Sequence, residues 1–174
     1  AGVQRVFEPA TLAELREKVD LVVHEQEKPP SADDAKTLLT GADACITSWG
    51  SPSMTPELLD AAPELKLIVH AAGSIKPIVT DAVYSRGITI TSGAGAIAIG
   101  VAETTLGLII TSMKNVFALS TAIREGGWRA GAKARKNVKE MIGTTVGIVG
   151  AGHVGRHVMN LLKGFDVRVL LYDP

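Results

Sequence analysis

The run Gly150-Ala151-Gly152-His153-Val154-Gly155 constrains the fold of this chain more than any other stretch. It follows the apolar segment Thr145–Val149, and Asp173 ends a second apolar segment eighteen residues after the last glycine. Glycines at this spacing are a weak signal alone. Between a predicted strand and a predicted helix, with a carboxylate closing the next strand, they form a dinucleotide-binding fingerprint. Gly150 permits the tight turn, Gly152 lets the backbone approach a pyrophosphate, and Gly155 lets helix and strand pack closely. The helix that starts here directs its free N–H groups and positive dipole end at the phosphates.

Hydrophobic residues make up 46% of the 174, enough for a sizeable core and against a disordered chain. Eighteen basic residues balance eighteen acidic ones, so neither nucleic acid nor an anionic membrane is expected as a partner. The lone cysteine, Cys45, excludes an intrachain disulfide framework. Between Ala44 and Ile46 it reads as a buried small hydrophobe, and it fits a reducing cytoplasm. No basic-then-apolar leader pattern opens the sequence. Ala94–Ile110, the most apolar stretch, is interrupted by Glu103 and rich in glycine and alanine. It is expected to be buried helix rather than a membrane span.

Along the chain, strands and helices alternate. Thr11–Val19 has helical spacing, Leu21–Val23 is a short strand, and Ser31 or Asp33 caps a helix through Leu39. Ala44–Thr47 is the next strand, Thr55 and Pro56 start a helix, and Leu65–His70 reads as a buried parallel strand. Val79–Ser85 is helical with Gly87 past its end, and Ile88–Thr91 is a strand. Ser92–Gly100 reads as an interdomain hinge in preference to a plain flexible loop. A long helix from Val101 to about Glu125 ends at Gly126-Gly127, and the basic segment from Arg129 to Lys139 reads as a solvated linker. Thr145–Asp173 is then strand, turn, helix, strand. The alternation predicts an α/β fold.

Several segments carry a family resemblance in their order and spacing. They are Ala61-Ala62-Pro63-Glu64-Leu65-Lys66-Leu67-Ile68, Ala71-Ala72-Gly73-Ser74-Ile75, Arg86-Gly87-Ile88 and Val101-Ala102-Glu103. Gly126-Gly127-Trp128, Gly143–Gly150 and Leu171-Tyr172-Asp173-Pro174 complete the set. On these the sequence resembles the D-isomer-specific 2-hydroxyacid dehydrogenases over nearly its whole length. The resemblance implies a flavodoxin-like substrate lobe with a parallel sheet over 1–98. A hinge, long helix and linker follow over 99–143, and a Rossmann-type NAD lobe begins over 144–174. It implies NAD as cofactor, a small 2-oxo or 2-hydroxy acid as substrate, hydride transfer between them, and a homodimer. Gly150, Gly152, His153, Val154 and Gly155 map to the cofactor turn. Asp173 maps to the acid that holds the adenosine ribose, which favours NAD over NADP. Gly73 maps beside the nicotinamide, and the N–H groups of Ser74 and Ile75 map to the substrate carboxylate.

The chain departs from the family pattern at several positions. Lys76 and Pro77 replace an acid and an asparagine, Trp49-Gly50 stands where some members have arginine and serine, and Thr104 replaces a histidine. A bulkier or less anionic substrate follows as an expectation, with Trp49 equally readable as a packing residue. The chemistry needs an arginine, a histidine and a carboxylate. The resemblance places all three beyond Pro174, so no catalytic residue maps onto this chain. Among the histidines, His24 reads as a surface residue and His70 as structural. His153 and His157 are spaced to share a metal but lack a third ligand, so no metal is expected. Two strands of an NAD lobe leave apolar faces uncovered. That is consistent with an ordered part of a longer enzyme, a truncated product, or strands supplied by another chain. A non-catalytic NAD-sensing regulator of the same fold is the alternative function.

Overall fold

The computed structural model describes residues 3–174, which fall into two compact units divided between Ala94 and Gly95. In the first unit a short turn of 3-10 helix precedes α1 (Pro9–Lys18), α2 (Ala32–Leu39), β1 (Ala44–Thr47) and α3 (Pro56–Asp60). β2 (Leu67–His70), α4 (Asp81–Ser85) and β3 (Thr89–Ser92) complete it. The strands are parallel in the order β1-β2-β3, with Cys45, Ile68 and Ile90 in one row and Thr47, His70 and Ser92 in another two residues on. Side chains two apart share a sheet face, so both rows belong to the same face. Cys45, Ile68 and Ile90 join Leu39, Leu59 and Val83 in one core cluster, in which Ile68, Leu59 and Val83 are 0% exposed. Each such side chain contributes about 1.5–3 kcal/mol by leaving water.

Local chemistry sets the helix starts. Ser31 and Asp34 form a capping box on α2, and the Ser31 hydroxyl and N–H together hold the Asp34 carboxyl below its ordinary range. Thr55 caps α3 by accepting from the Leu58 N–H at 3.3 Å, with Pro56 opening the helix. Gly87 takes φ +68° past the end of α4.

Residues 21–23, expected as a strand, form none. A strand needs partners for its N–H and C=O groups, β2 is the one strand beside β1 among the described residues, and Val22 is 68% exposed. β2 begins two residues later than expected because the Leu65 N–H is used in a turn to the Ala62 carbonyl. α4 likewise starts at Asp81, since the Val79 N–H is engaged by the Ile75 carbonyl.

The second unit is built from α5 (Ala94–Met113), α6 (Val116–Arg135), β4 (Thr144–Val149), α7 (His153–Leu162) and β5 (Val167–Tyr172). β4 and β5 pair in parallel from Thr144↔Val167 to Val149↔Tyr172. Ala102, Met141, Val158 and Leu162 are buried, and Leu106, Ile109, Val146 and Ile148 are among the residues packed on them.

Three expectations change here. Ser92–Gly100 is helical from Ala94, alanine and isoleucine carrying it through Gly95 and Gly100, and the boundary between the two units falls within it. The single long helix is two, broken at Asn115, which adopts φ 51° and donates its Nδ2 to the Ala134 carbonyl at 3.0 Å. The basic linker is helical as far as Arg135, whose guanidinium stacks 4.7 Å from the Trp128 ring. Gly126 and Gly127 do interrupt α6, with non-helical backbone at both. Residues 99–143 cluster with the last two strands in one compact unit. α5 is also less buried than expected. It is long and apolar enough to cross a membrane, and it packs one face on the unit's core. Its outer side leaves Val101 and Leu108 at 42 and 52% exposure, and Ile99 near the helix start is 52% exposed.

Candidate functional site

The glycine turn of the second unit ends in a run of N–H donors with no acceptor among the described residues. Gly150 leaves β4 at φ +99° and donates its N–H to the Tyr172 carbonyl at 2.8 Å, extending the β4–β5 ladder by one rung. The chain then enters α7, whose first bond across the turn runs from the Arg156 N–H to the Gly152 carbonyl. The N–H groups of Gly152, His153, Val154 and Gly155 have no acceptor among the described residues, as the first turn of any helix leaves them. Gly155 is required by packing: a Cβ there would lie 2.0 Å from the Gly150 carbonyl oxygen. Gly152 has nothing within 4 Å of a built Cβ, so space in front of it is open.

Asp173 and Arg156 brace this turn from two sides. Asp173 Oδ1 accepts the Ala151 N–H at 2.9 Å, and Arg156 Nε donates to the Ala151 carbonyl at 2.5 Å. The carboxylate retains Oδ2 without a partner among the described residues. Arg156 escaped the sequence reading; a cation one residue past the last glycine, on the first turn of α7, was the available sign. His153 heads α7, is exposed, and its ring lies 3.7 Å from where a Cβ on Gly95 would stand. The donor set therefore fits a pyrophosphate with a hydroxyl-bearing sugar near Asp173.

In the first unit the candidate site is the loop after β2. Its stem is anchored by the Ala71 N–H to the Thr47 carbonyl at 2.7 Å, and its far end by the Ile78 and Val79 N–H groups on the Ile75 carbonyl. Between these anchors the N–H groups of Gly73, Ser74 and Ile75 bond nothing among the described residues. Three successive free donors at the C-terminal end of a parallel strand suit a small anion. Lys76 is exposed just beyond them. Trp49 is 56% exposed. Thr104 uses its hydroxyl on the Gly100 carbonyl, within α5.

His24 faces the Lys28 carbonyl at 2.9 Å on the surface. His70 is buried and meets Thr47 at 3.0 Å, and burial pushes its pKa below the ordinary histidine range. Burial pushes the Cys45 thiol up to about 12. Among the described residues no group of three His, Cys, Asp or Glu is placed to hold a metal.

Residues 106–174 match the model of the D-isomer specific 2-hydroxyacid dehydrogenase NAD binding domain. A glyoxylate reductase of Thermofilum pendens is 32% identical over 98% of this chain and 51% of its own length. The chain is similar to the D-isomer-specific 2-hydroxyacid dehydrogenases along nearly its whole length. A solved structure of a Pyrococcus horikoshii protein superposes with a TM-score of 0.78 at 28% identity, covering 96% of this chain and 50% of that one. A 3-phosphoglycerate dehydrogenase of Entamoeba histolytica, solved with NAD+, gives 0.69 at 25% identity, over 97% and 51%. The chain thus spans about half the length of these three proteins. The fold expected from the sequence, parallel α/β with a Rossmann-type NAD-binding portion, is that of the family, and NAD is its cofactor.

Proposed function

We propose that this chain is the substrate-loop and dinucleotide-turn portion of an NAD-dependent oxidoreductase acting on a small 2-hydroxy or 2-oxo acid. The observation that carries the reading is the turn at Gly150–Gly155, where four helix-end N–H groups have no acceptor among the described residues and Gly155 has room for no side chain. In this reading the N–H groups of Gly152–Gly155 hold the pyrophosphate and Asp173 takes the adenosine ribose hydroxyls through its open oxygen. A carboxylate at that position repels a 2′-phosphate, so NAD is preferred over NADP. Bound NAD supplies or accepts the hydride. The loop Gly73-Ser74-Ile75 holds the substrate carboxylate with backbone N–H groups, which are strong donors to an anion and bring no titrating group. Proton transfer and carbonyl polarisation are assigned to groups outside residues 1–174. The contribution of this chain is binding and orientation.

A homodimer fits the exposed apolar side of α5, where Val101 and Leu108 stand in solvent. Sedimentation velocity should give a species of twice the chain mass that dissociates on Leu108→Lys. An unchanged monomer in both proteins contradicts that assembly.

The cofactor reading is tested by titrating NAD+ and NADP+ into the chain and into Asp173→Ser. NAD+ should bind the parent more tightly by roughly tenfold or more, about 1.4 kcal/mol, and the serine variant should lose most of that preference. Equal affinity in the parent removes the role given to Asp173.

A further inference from the structure

Among the described residues two polar or charged side chains are buried, Thr47 at 6% and His70 at 3% exposure, and they are bonded to each other. They are register partners at the C-terminal ends of β1 and β2, with Thr47 Oγ1 3.0 Å from His70 Nδ1. One row back on the same face the corresponding pair is Cys45 and Ile68, which is apolar and needs no such bond. Burying a hydroxyl and an imidazole costs free energy that the single bond between them only offsets. An aliphatic pair would be the cheaper core.

The pair stands at the stem of the loop with free N–H groups. Thr47 is used twice, its hydroxyl on the His70 ring and its carbonyl on the Ala71 N–H at 2.7 Å. The Gly93 N–H bonds both the His70 and the Ala72 carbonyls at 2.9 Å, and the Ser48 hydroxyl donates to the Ala71 carbonyl at 3.4 Å. Each of these anchors of the chain leaving β2 lies within two residues of His70. The next three residues are Gly73, Ser74 and Ile75.

We propose that His70, locked in place by the Thr47 hydroxyl, is a positioning residue for the Gly73–Ile75 loop and sets how its three N–H groups are presented to a carboxylate. The carboxylate part of this statement rests on the function proposed above; the coupling of His70 to the loop does not.

Protonation should disturb the device. When the Thr47 hydroxyl donates to Nδ1, the imidazole is neutral with its proton on Nε2. A second proton turns Nδ1 into a donor, reverses the hydroxyl, and places a charge in a site shielded from water. The lowered pKa of His70 arises from burial alone. The carboxylates of the helices packed into the same core are Asp33, Asp34, Glu57, Asp60 and Asp81, and with Lys36 they add no resolved effect. Cys45, on the same sheet face, is a neutral thiol with its pKa pushed up to about 12. A base whose folded pKa lies below its unfolded value takes up more protons on unfolding. The arrangement is therefore intact at neutral pH and is lost as pH falls through the folded pKa.

The experiment is a series of amide and imidazole NMR spectra of the chain between about pH 4.5 and 8, bracketing the ordinary histidine pKa, without ligand and then with NAD+ and oxamate. In the parent, the Gly73, Ser74 and Ile75 amides should follow the His70 ring through one shared transition. His70→Asn keeps a partner for Thr47 but cannot ionise in this range. It should retain the neutral-pH loop spectrum and lose the transition. Oxamate affinity in the parent should weaken by up to about tenfold per pH unit below that transition, and in His70→Asn it should stay flat. Loop amides that ignore the His70 titration, or a transition that persists in His70→Asn, overturn the positioning role. If the coupled transition is present but oxamate moves none of the three amides, the positioning role stands and the carboxylate reading of the loop fails.

Discussion

At Gly155 a single methyl group decides whether the turn can close. A Cβ there would meet the Gly150 carbonyl oxygen at 2.0 Å, and that atom belongs to the backbone and cannot swing aside. Gly155→Ala should destabilise the chain by about 1–3 kcal/mol and abolish NADH binding, seen as a lowered Tm and a lost fluorescence enhancement. Gly152→Ala makes the opposite case. Its φ of −68° suits alanine and no atom lies within 4 Å, so its Tm should stay near the parent's while NADH affinity falls. Equal loss of stability in both variants contradicts the division of labour between the two glycines. Cys45 illustrates burial without function. With its pKa pushed up to about 12, the thiolate fraction at pH 8 is on the order of 10⁻⁴. Alkylation by iodoacetamide should therefore require unfolding, and fast labelling of the native chain contradicts the burial described.

The elements show which local signals carry structural information. Removing the cap in Ser31→Ala should cost about 1 kcal/mol, read from urea unfolding. Because the Asp34 carboxyl is held below its ordinary range by Ser31, the cap's contribution is present above that range and fades as pH falls through the folded value. Caps of this kind, the apolar run at β2 and the glycine turn are local in sequence, so α2, α3, β1, β2, β4, α7 and β5 could be read with small shifts at their ends. What escaped the sequence depends on distant partners. Val22 and its neighbours look like a strand but have no strand to pair with. The break between α5 and α6 depends on Asn115 reaching the Ala134 carbonyl nineteen residues away. The Ala94–Gly100 run has a composition that serves loop and helix equally, and the helix is decided by burial of Ala98 and Ala102. Of the site, the glycines and Asp173 were legible from spacing, whereas the Arg156 brace and the Thr47–His70 pair arise from contacts that no motif spells out. Asn115→Ala should cost about 1 kcal/mol for the lost side-chain bond. Asn115→Gly should recover part of that through relief of the left-handed backbone.

At the scale of the whole molecule, the two units differ in how well they cover their apolar surface. The first packs one face of a three-stranded sheet on a contiguous core, while the second leaves Val149, Leu170 and Tyr172 at 82, 49 and 64% exposure along a two-stranded sheet. Strand edges and apolar faces of this kind recruit partners. Residues 95–174 alone should self-associate in sedimentation velocity, and a well-behaved monomer contradicts that. The central claim is that this chain carries a working dinucleotide turn. Its most direct test is an NAD+ titration of the chain followed at the backbone amides. Ala151, Gly152, His153, Val154 and Gly155 should shift together along one saturable curve, with Asp173 and no other carboxylate moving in step. Amides of the turn that stay still at millimolar NAD+, or a response centred elsewhere, would contradict the account.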